Sequence, residues 1–365
     1  MMMSDEGDSD FMSDSDMSSD DDFEVTEPRI KNEQYLEETV EAYSDEVFFE
    51  HFRLSKDTTQ RIGEKYSTSQ YFHDGSGQYG KLSAWHQVLI FLWYIGHQTA
   101  SYRDVGDRFN VTISSVNRIV QRLTLFLSNL SIDIIKWPNE AEKRLSEEHF
   151  RANGFPNIIG AIDGSHIKID RPINDPHSYI NRKGYYSIQM QAVCDHKRKI
   201  IDVFIGYPGS VHDSRVFRNS PLQNSLEAKC GRYFILGDSG YPLQGNLLTP
   251  YKDRGNLTRR QQNYNIKLAK NRYVIEHNFG ILKQKFRQLY HCKLRSPRLI
   301  IHLIRAACVL HNIAINDEFI LNEEEILNQI PVDNVQPEDP DSEDDDNEHV
   351  ELAIIRNRVA NSLAM

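Results

Sequence analysis

Phe155-Pro-Asn-Ile-Ile-Gly-Ala-Ile-Asp163-Gly-Ser-His-Ile-Lys-Ile169 is an apolar run broken by one carboxylate, with glycine directly after it. A run of this kind reads as a buried strand. An ionised acid is costly to bury unless a cation compensates it, because an unpaired carboxylate out of water takes up a proton instead. Asp163 therefore calls for a positive partner. Two further acids stand in comparable settings. Asp238 ends the strand-like Tyr233-Phe-Ile-Leu-Gly-Asp238-Ser-Gly-Tyr241, and Glu276 lies inside a helical pattern running from Asn271 to Leu289. Three carboxylates on two strands and a helix can converge on a pair of divalent metal ions.

The chain has 365 residues, 39% of them hydrophobic, enough for one large domain or two smaller ones. Its net charge of −11 is unevenly placed. Residues 1–22 carry nine acids and no base, and residues 333–348 carry nine more and no base, which leaves the rest of the chain at about +7. The body is thus mildly basic, as a phosphate-binding surface requires. Segments 1–22 and 333–365 read as acidic, disordered tails, the second one largely so. Cys194, Cys230, Cys292 and Cys308 are scattered and form no C-x-x-C pair, which argues against a disulfide framework or a zinc knuckle. With no signal-peptide pattern and no apolar stretch long enough to span a bilayer, an intracellular, soluble protein is expected.

Residues 45–135 read as helical. Leu82 to Ile95 is apolar on nearly all sides and is expected to be core. Tyr102–Phe109, a break at Asn110-Val111, and Thr112–Leu123 have the layout of a helix-turn-helix. Thr112 can cap the second helix, and Val116, Ile119, Val120 and Leu123 form its buried stripe. Ser114, Ser115, Asn117, Arg118 and Arg122 then face outward, a set suited to phosphates and base edges. The same spacing also fits an ordinary helical hairpin.

From Ile158 the periodicity becomes that of strands. Ile158–Ile169, Ser187–Cys194 and Ile200–Gly206 follow one another, the last two as an antiparallel hairpin, then a helix opened by Pro208-Gly-Ser-Val-His-Asp213, then Tyr233–Asp238. A basic loop, Lys252 to Arg260, feeds the helix bearing Glu276. Strand-Asp, strand-Asp, helix-Glu is the plan of RNase H-like nucleases. Cutting a phosphodiester needs a deprotonated nucleophile, charge neutralisation and a stabilised leaving oxygen. Mg²⁺ or Mn²⁺ ions on Asp163, Asp238 and Glu276 would supply all three. On the helix, Ile275, Phe279, Leu282, Phe286 and Leu289 mark the core stripe, and Glu276, Gly280, Lys283 and Arg287 a second stripe at its edge, where Lys283 and Arg287 could hold DNA. Asp213 is either a further metal ligand or half of a capping box with Ser210. Glu276 and Asp238 also admit bland readings, as a solvated face and a turn residue. His212 and His277 have no metal-ligand spacing to another histidine and read either as supports behind the metal ligands or as structural.

Five motifs together resemble the PIF/Harbinger superfamily of DDE transposases. They are Gly160-Ala-Ile-Asp-Gly-Ser-His-Ile167, Pro208-Gly-Ser-Val-His-Asp-Ser-Arg215, Leu236-Gly-Asp-Ser-Gly-Tyr-Pro242, Leu248-Thr-Pro-Tyr251 and Val274-Ile-Glu-His-Asn-Phe-Gly-Ile-Leu-Lys283. The resemblance implies an α/β, RNase H-like, mixed-sheet DDE endonuclease domain over residues 155–320, preceded by the helix-turn-helix region. It implies Asp163, Asp238 and Glu276 as catalytic acids, Asp213 as a fourth metal-site residue and Mg²⁺ or Mn²⁺ as cofactor. It further implies DNA as substrate, a Myb-like DNA-binding partner, and the nucleus as location, with the cytoplasm as a second one; an oligomer is compatible with it. The alternative function is that of a domesticated transposase serving as a non-catalytic DNA-binding or chromatin-associated protein.

Overall fold

The computed structural model describes residues 32, 34–73, 82–315, 317 and 350–363. The acidic leader 1–22 and residues 333–349 of the expected C-terminal tail lie outside them. Before the sheet the chain is helical. α1 (Asp45–Phe52) and α2 (Lys56–Ser67) each start at a serine whose hydroxyl accepts a backbone N–H, Ser44 from Val47 at 3.3 Å and Ser55 from Thr58 at 3.1 Å. α3 (Ala84–Gly96) is the expected core helix, buried at every residue from Gln87 to Gly96. α4 (Tyr102–Arg108) and α5 (Ile113–Asn129) form the expected helix pair. Thr112 Oγ1 accepts from the Ser115 N–H at 3.0 Å, and Val116, Ile119, Val120 and Leu123 are at most 4% exposed. The turn between them is tight: Asn110 has φ 53°, and a Cβ on Gly106 would stand 2.9 Å from the Val111 carbonyl oxygen. A single turn, α6 (Ser131–Ile134), leads to α7 (Glu140–Ala152), which opens on a capping box between Asn139 and Glu142.

The sheet follows. β1 (Ile158–Lys168), β2 (Ser187–Cys194) and β3 (Ile200–Pro208) form an antiparallel meander. α8 (Asp213–Arg218) and α9 (Pro221–Cys230) then cross to β4 (Phe234–Leu236) and β5 (Leu247–Leu248), which run parallel to β1. The sheet order is β3-β2-β1-β4-β5, the mixed α/β arrangement expected from the strand signals, with β1 at its centre. α10 (Arg259–Lys285), α11 (Pro297–Ile313) and α12 (Val350–Ser362) complete the chain. Among the described residues no helix is long and apolar enough to cross a membrane.

Alternation along the strands explains why both faces are covered. Ile158, Ala161 and Ile167 of β1 and Ile188, Met190 and Ala192 of β2 join the core shared with α10 and α11. Ile159, Ile162 and Val193 point the other way, into a smaller core with Phe217 of α8 and Leu222 and Leu226 of α9. The larger core also contains Val116, Ile119 and Leu123 of α5, since α11 packs on both α5 and β3. The helical region and the sheet therefore share one hydrophobic core.

Two expectations are corrected. The helical pattern does not continue to Leu289. α10 ends at Lys285, Phe286 leaves the helix at φ −111°, ψ 75° because its ring turns into the core at 0% exposure, and Arg287 falls on a 3-10 turn. Arg287 is thus off the Glu276 stripe. It lies by Arg53, whose pKa is pushed down to about 10 by burial and then by the Arg287 charge. The expected tail 333–365 also contains order: α12 docks on α10, with Arg356 stacked 4.1 Å over the Tyr251 ring and Tyr251 Oη donating to Asn357 Oδ1 at 2.7 Å. Ala360 and Leu363 enter the core, which anchors a segment whose acidic neighbourhood conceals it in the composition.

Candidate active site

Strand register brings the first two acids together. Ala161 of β1 pairs with Leu236 of β4 in parallel, so Asp163 within β1 and Asp238 just past the end of β4, each two residues further on, lie side by side. Asp238 follows directly on β4, where its Oδ1 accepts the Gly240 N–H at 3.0 Å; the turn bond and the place beside Asp163 coexist. Asp163 stays on β1 with a side chain 15% exposed, and its Oδ1 accepts the Gly164 N–H at 2.8 Å.

The third acid arrives from the opposite face. α8 begins at Asp213 with His212 as N-cap and no side-chain capping bond, so the alternative of a Ser210–Asp213 capping box is not realised. Instead Asp213 Oδ1 accepts from Gln189 Nε2 of β2 and rests against the α-carbon of Gly164. A Cβ on Gly164 would overlap that oxygen and lie 3.2 Å from Gln189 Nε2. Glycine after Asp163 is what lets the α8 carboxylate reach the cluster.

The electrostatics follow from this convergence. Burial, the Asp238 charge and the Asp213 charge together push Asp163 up to about 8, against the opposing pull of Arg272. Burial and the Asp238 charge push Asp213 up to about 7, with the Gln189 hydrogen bond acting the other way. Tyr241, 4% exposed, has its phenol raised well above the usual range by burial and then by Asp213, Asp163 and Asp238.

The fourth acid is held differently. Glu276 stands on the rim of α10, its side chain 43% exposed, and is bound to Arg272 one turn earlier. The same guanidinium donates from Nη1 to Asp163 Oδ2 at 2.9 Å. Burial opposes the charge on Arg272, yet Asp163, Glu276 and Asp238 raise its pKa above the ordinary arginine value. One guanidinium thus bridges the strand acid and the helix acid, Nη1 donating to Asp163 and Nη2 to Glu276. Lys283, on the same rim, donates to the His166 carbonyl of β1 at 3.1 Å. Asn117, Arg118 and Arg122 sit apart from this group on α5, which packs chiefly on α11, α3 and α4; Arg118 is exposed, the other two partly so. His277 is buried and stacks on Tyr273.

Arg272, Gln189 and Tyr241 escape a reading of the sequence alone. Arg272 had a signal, since extending the stripe of Glu276, Gly280 and Lys283 one turn back lands on it. The donor set fits a hard divalent cation in kind: four carboxylates, and the buried Tyr241 hydroxyl, which has no hydrogen-bond partner. Among the described residues no three acidic, histidine or cysteine side chains stand close enough to share one ion, and Arg272 occupies the interval between Asp163 and Glu276.

The family described as DDE superfamily endonuclease matches residues 162–312, a span holding all four acids and Arg272. The human protein named "Putative nuclease HARBI1" is 32% identical over 235 residues, 63% of this chain and 66% of its own length, just under two thirds. The mouse protein of that name is 31% identical over 236 residues, 63% of this chain and 67% of its own length. An Arabidopsis thaliana protein named "Protein ALP1-like" is 28% identical over 271 residues, 68% of this chain and 64% of its own length. No solved structure matches the chain. With this domain match and these relatives, the chain belongs to the Harbinger transposase-derived nucleases of the DDE superfamily.

Proposed function

We propose that this protein is a divalent-metal-dependent DNA endonuclease that hydrolyses phosphodiester bonds, with Mg²⁺ or Mn²⁺ at Asp163, Asp213, Asp238 and Glu276. The observation that carries the reading is that Asp163 on β1 and Asp238 just past β4 lie on adjacent strands while Asp213 of α8 rests at Gly164, so that the acids raise one another's pKa at a partly buried spot. Evolution of a stable fold would not select such a cluster for itself, because each ionised acid there destabilises the others. Bound metal would neutralise the acids, activate water and stabilise the leaving oxygen. The chain's residues supply the rest. Asp163 and Asp238 define the floor, Gln189 fixes the rotamer of Asp213, and Glu276 closes the rim once its hold on Arg272 is given up. Arg272, freed from the acids, would then face the scissile phosphate with two donors. The helix pair α4–α5 is proposed to bind DNA through Asn117, Arg118 and Arg122, in the nucleus and alongside a Myb-like partner.

The test is direct. Full-length protein should convert supercoiled plasmid to nicked circles with Mg²⁺ or Mn²⁺ and leave it intact with chelator. Plasmid left supercoiled under all metal conditions would favour the second reading, a non-catalytic DNA-binding protein. That reading is supported by the Arg272 bridge, which keeps Asp163 and Glu276 apart as metal ligands.

DNA placement gives a separate expectation. Lys283, anchored beside Asp163 through β1, should contact phosphate. Lys283→Ala should therefore weaken binding to any DNA and flatten the slope of log K against log[salt] by a little under one unit. Arg287→Ala, being off the stripe, should leave that slope unchanged. Asn117→Ala and Arg118→Ala should reduce discrimination between sequences more than general affinity. Fluorescence anisotropy across a salt series reads all four; a wild-type slope for Lys283→Ala would place DNA elsewhere.

A further inference from the structure

On the flank of the acid rim, α10 exposes apolar side chains that its packing does not use. Ile266 is 68% exposed and Tyr273 47%, and Ala269 between them is exposed as well. Spacings of three and four residues place all three on one stripe of the helix. The stripe borders the site. Tyr273 follows Arg272, whose guanidinium holds Asp163 and Glu276, and Glu276 stands three residues after Tyr273, a neighbour on the helix surface. The phenol ring is backed. It stacks on His277, with ring centroids 5.9 Å apart and planes 30° from parallel, and His277 is buried. One face of the ring is thereby held against the helix while the other is open to solvent. Lys270, one turn before Tyr273, is exposed on the same side.

We propose that Tyr273 is a stacking platform for an unpaired nucleobase beside the scissile phosphate. The inference rests on the DNA-cleaving reading above. A single exposed apolar side chain is ordinary, but a backed aromatic ring between a rim acid and a lysine is what a single-stranded nucleic-acid contact is made of. Stacking asks for an open π face and nothing else, so it serves any base. In a paired duplex both faces of each base are covered by its neighbours, and the ring can therefore take only a base that has left the stack. A second copy of the chain fits the stripe poorly. A stable interface takes about 800 Å² from each partner, whereas Ile266 to Tyr273 is about 10 Å of one helix. Tyr273 meets the base and not the reacting atoms; it is a positioning residue that fixes where the strand lies over the acids.

The full-length protein, kept in chelator so that no strand is cut, is titrated by fluorescence anisotropy with two probes. One is a duplex with a short unpaired thymidine gap, the other the same duplex fully paired. Tyr273→Ala should lose about tenfold or more in affinity for the gapped probe and stay within twofold of wild type on the paired one. Tyr273→Phe and Tyr273→Trp, which keep a ring, should retain the gapped affinity. A 2-aminopurine placed in the gap should be quenched on binding to wild type and stay bright with Tyr273→Ala. Because the ring is half-exposed, the melting temperature of the alanine variant should match wild type. Gapped affinity within twofold of wild type in Tyr273→Ala overturns the proposal and leaves the DNA reading standing. An equal loss on both probes overturns it too, since the ring would then serve general affinity. So does a wild-type dimer that Tyr273→Ala separates in sedimentation, which would make the stripe a contact between copies. Wild type that binds neither probe removes the DNA reading itself, and this proposal with it.

Discussion

Asp163→Asn should abolish metal-dependent nicking, by roughly a thousandfold or more, while making the metal-free protein more stable at neutral and alkaline pH. The two effects share one cause. In the folded chain Asp163 titrates near 8, well above an exposed aspartate, first because it is buried and then because Asp238 and Asp213 face it, with Arg272 pulling the other way. A raised carboxyl pKa means that the folded state holds a proton the unfolded state has released. Its contribution is therefore fully present below about pH 4 and is lost progressively as pH rises to about 8. Asp213, raised to about 7, adds a loss of the same sign. Asparagine at 163 does not titrate, so the melting-temperature gap between variant and wild type should widen from pH 4 to pH 8. Each pKa unit is worth about 1.4 kcal/mol, so the rise from 3.8 to about 8 caps the gap at roughly 6 kcal/mol. Metal reverses the ordering, since it binds the deprotonated cluster: wild-type Mn²⁺ affinity should rise with pH through the same window, with proton release. Melting curves at four pH values, with Mn²⁺ and with chelator, measure both signs. A variant less stable than wild type at pH 8 without metal would show that Asp163 is not a repelled acid.

Much of this site is legible in the sequence because the strands obey simple periodicity. Ser187–Cys194 is a strand at the bounds its alternation gives, and Thr112, Ser55 and the α5 stripe do what their residue types require. The acid-glycine pair 163–164 announces the centre of the sheet. The two-residue strand β5 is too short for any period to register, and the end of α10 turns on the core claiming the ring of Phe286. The acids are visible because a carboxylate in an apolar run is anomalous. Arg272 is not, because an arginine four residues before a glutamate on a helix is ordinary surface patterning. Only the sheet's approach, which leaves the Arg272 side chain 17% exposed against Asp163, converts that pair into part of the site. Gln189 is hidden for a similar reason: whether an amide on a strand faces water or a core depends on α8, which begins only at Asp213.

Arg272→Ala should tighten Mn²⁺ binding and yet slow nicking by a hundredfold or more, an outcome that separates its two positions. In the metal-free chain Arg272 is the cation of the site, bound to Asp163 and Glu276 at once. Any ion that takes those carboxylates must first displace it, so removing the guanidinium removes a competitor. During catalysis the displaced guanidinium would lie over the phosphate, where its fork can meet two oxygens, and that contribution is lost with it. Stability supplies a third reading. Arg272 holds the Asp163 pKa down, so without it the carboxyl titrates higher still. Below about pH 6 Asp163 is protonated either way and the variant should lose little. As pH rises through 8 the wild type gains an ion pair that alanine cannot make, and the variant should fall behind by about 2–3 kcal/mol. Arg272→Lys keeps the charge but cannot span both acids, so it should recover part of the stability and little of the rate. Calorimetric Mn²⁺ titration, plasmid nicking and melting at pH 5.5 and 8.5 distinguish these effects. If Mn²⁺ affinity falls in Arg272→Ala, the guanidinium is an organiser of the metal ligands and does not compete for them.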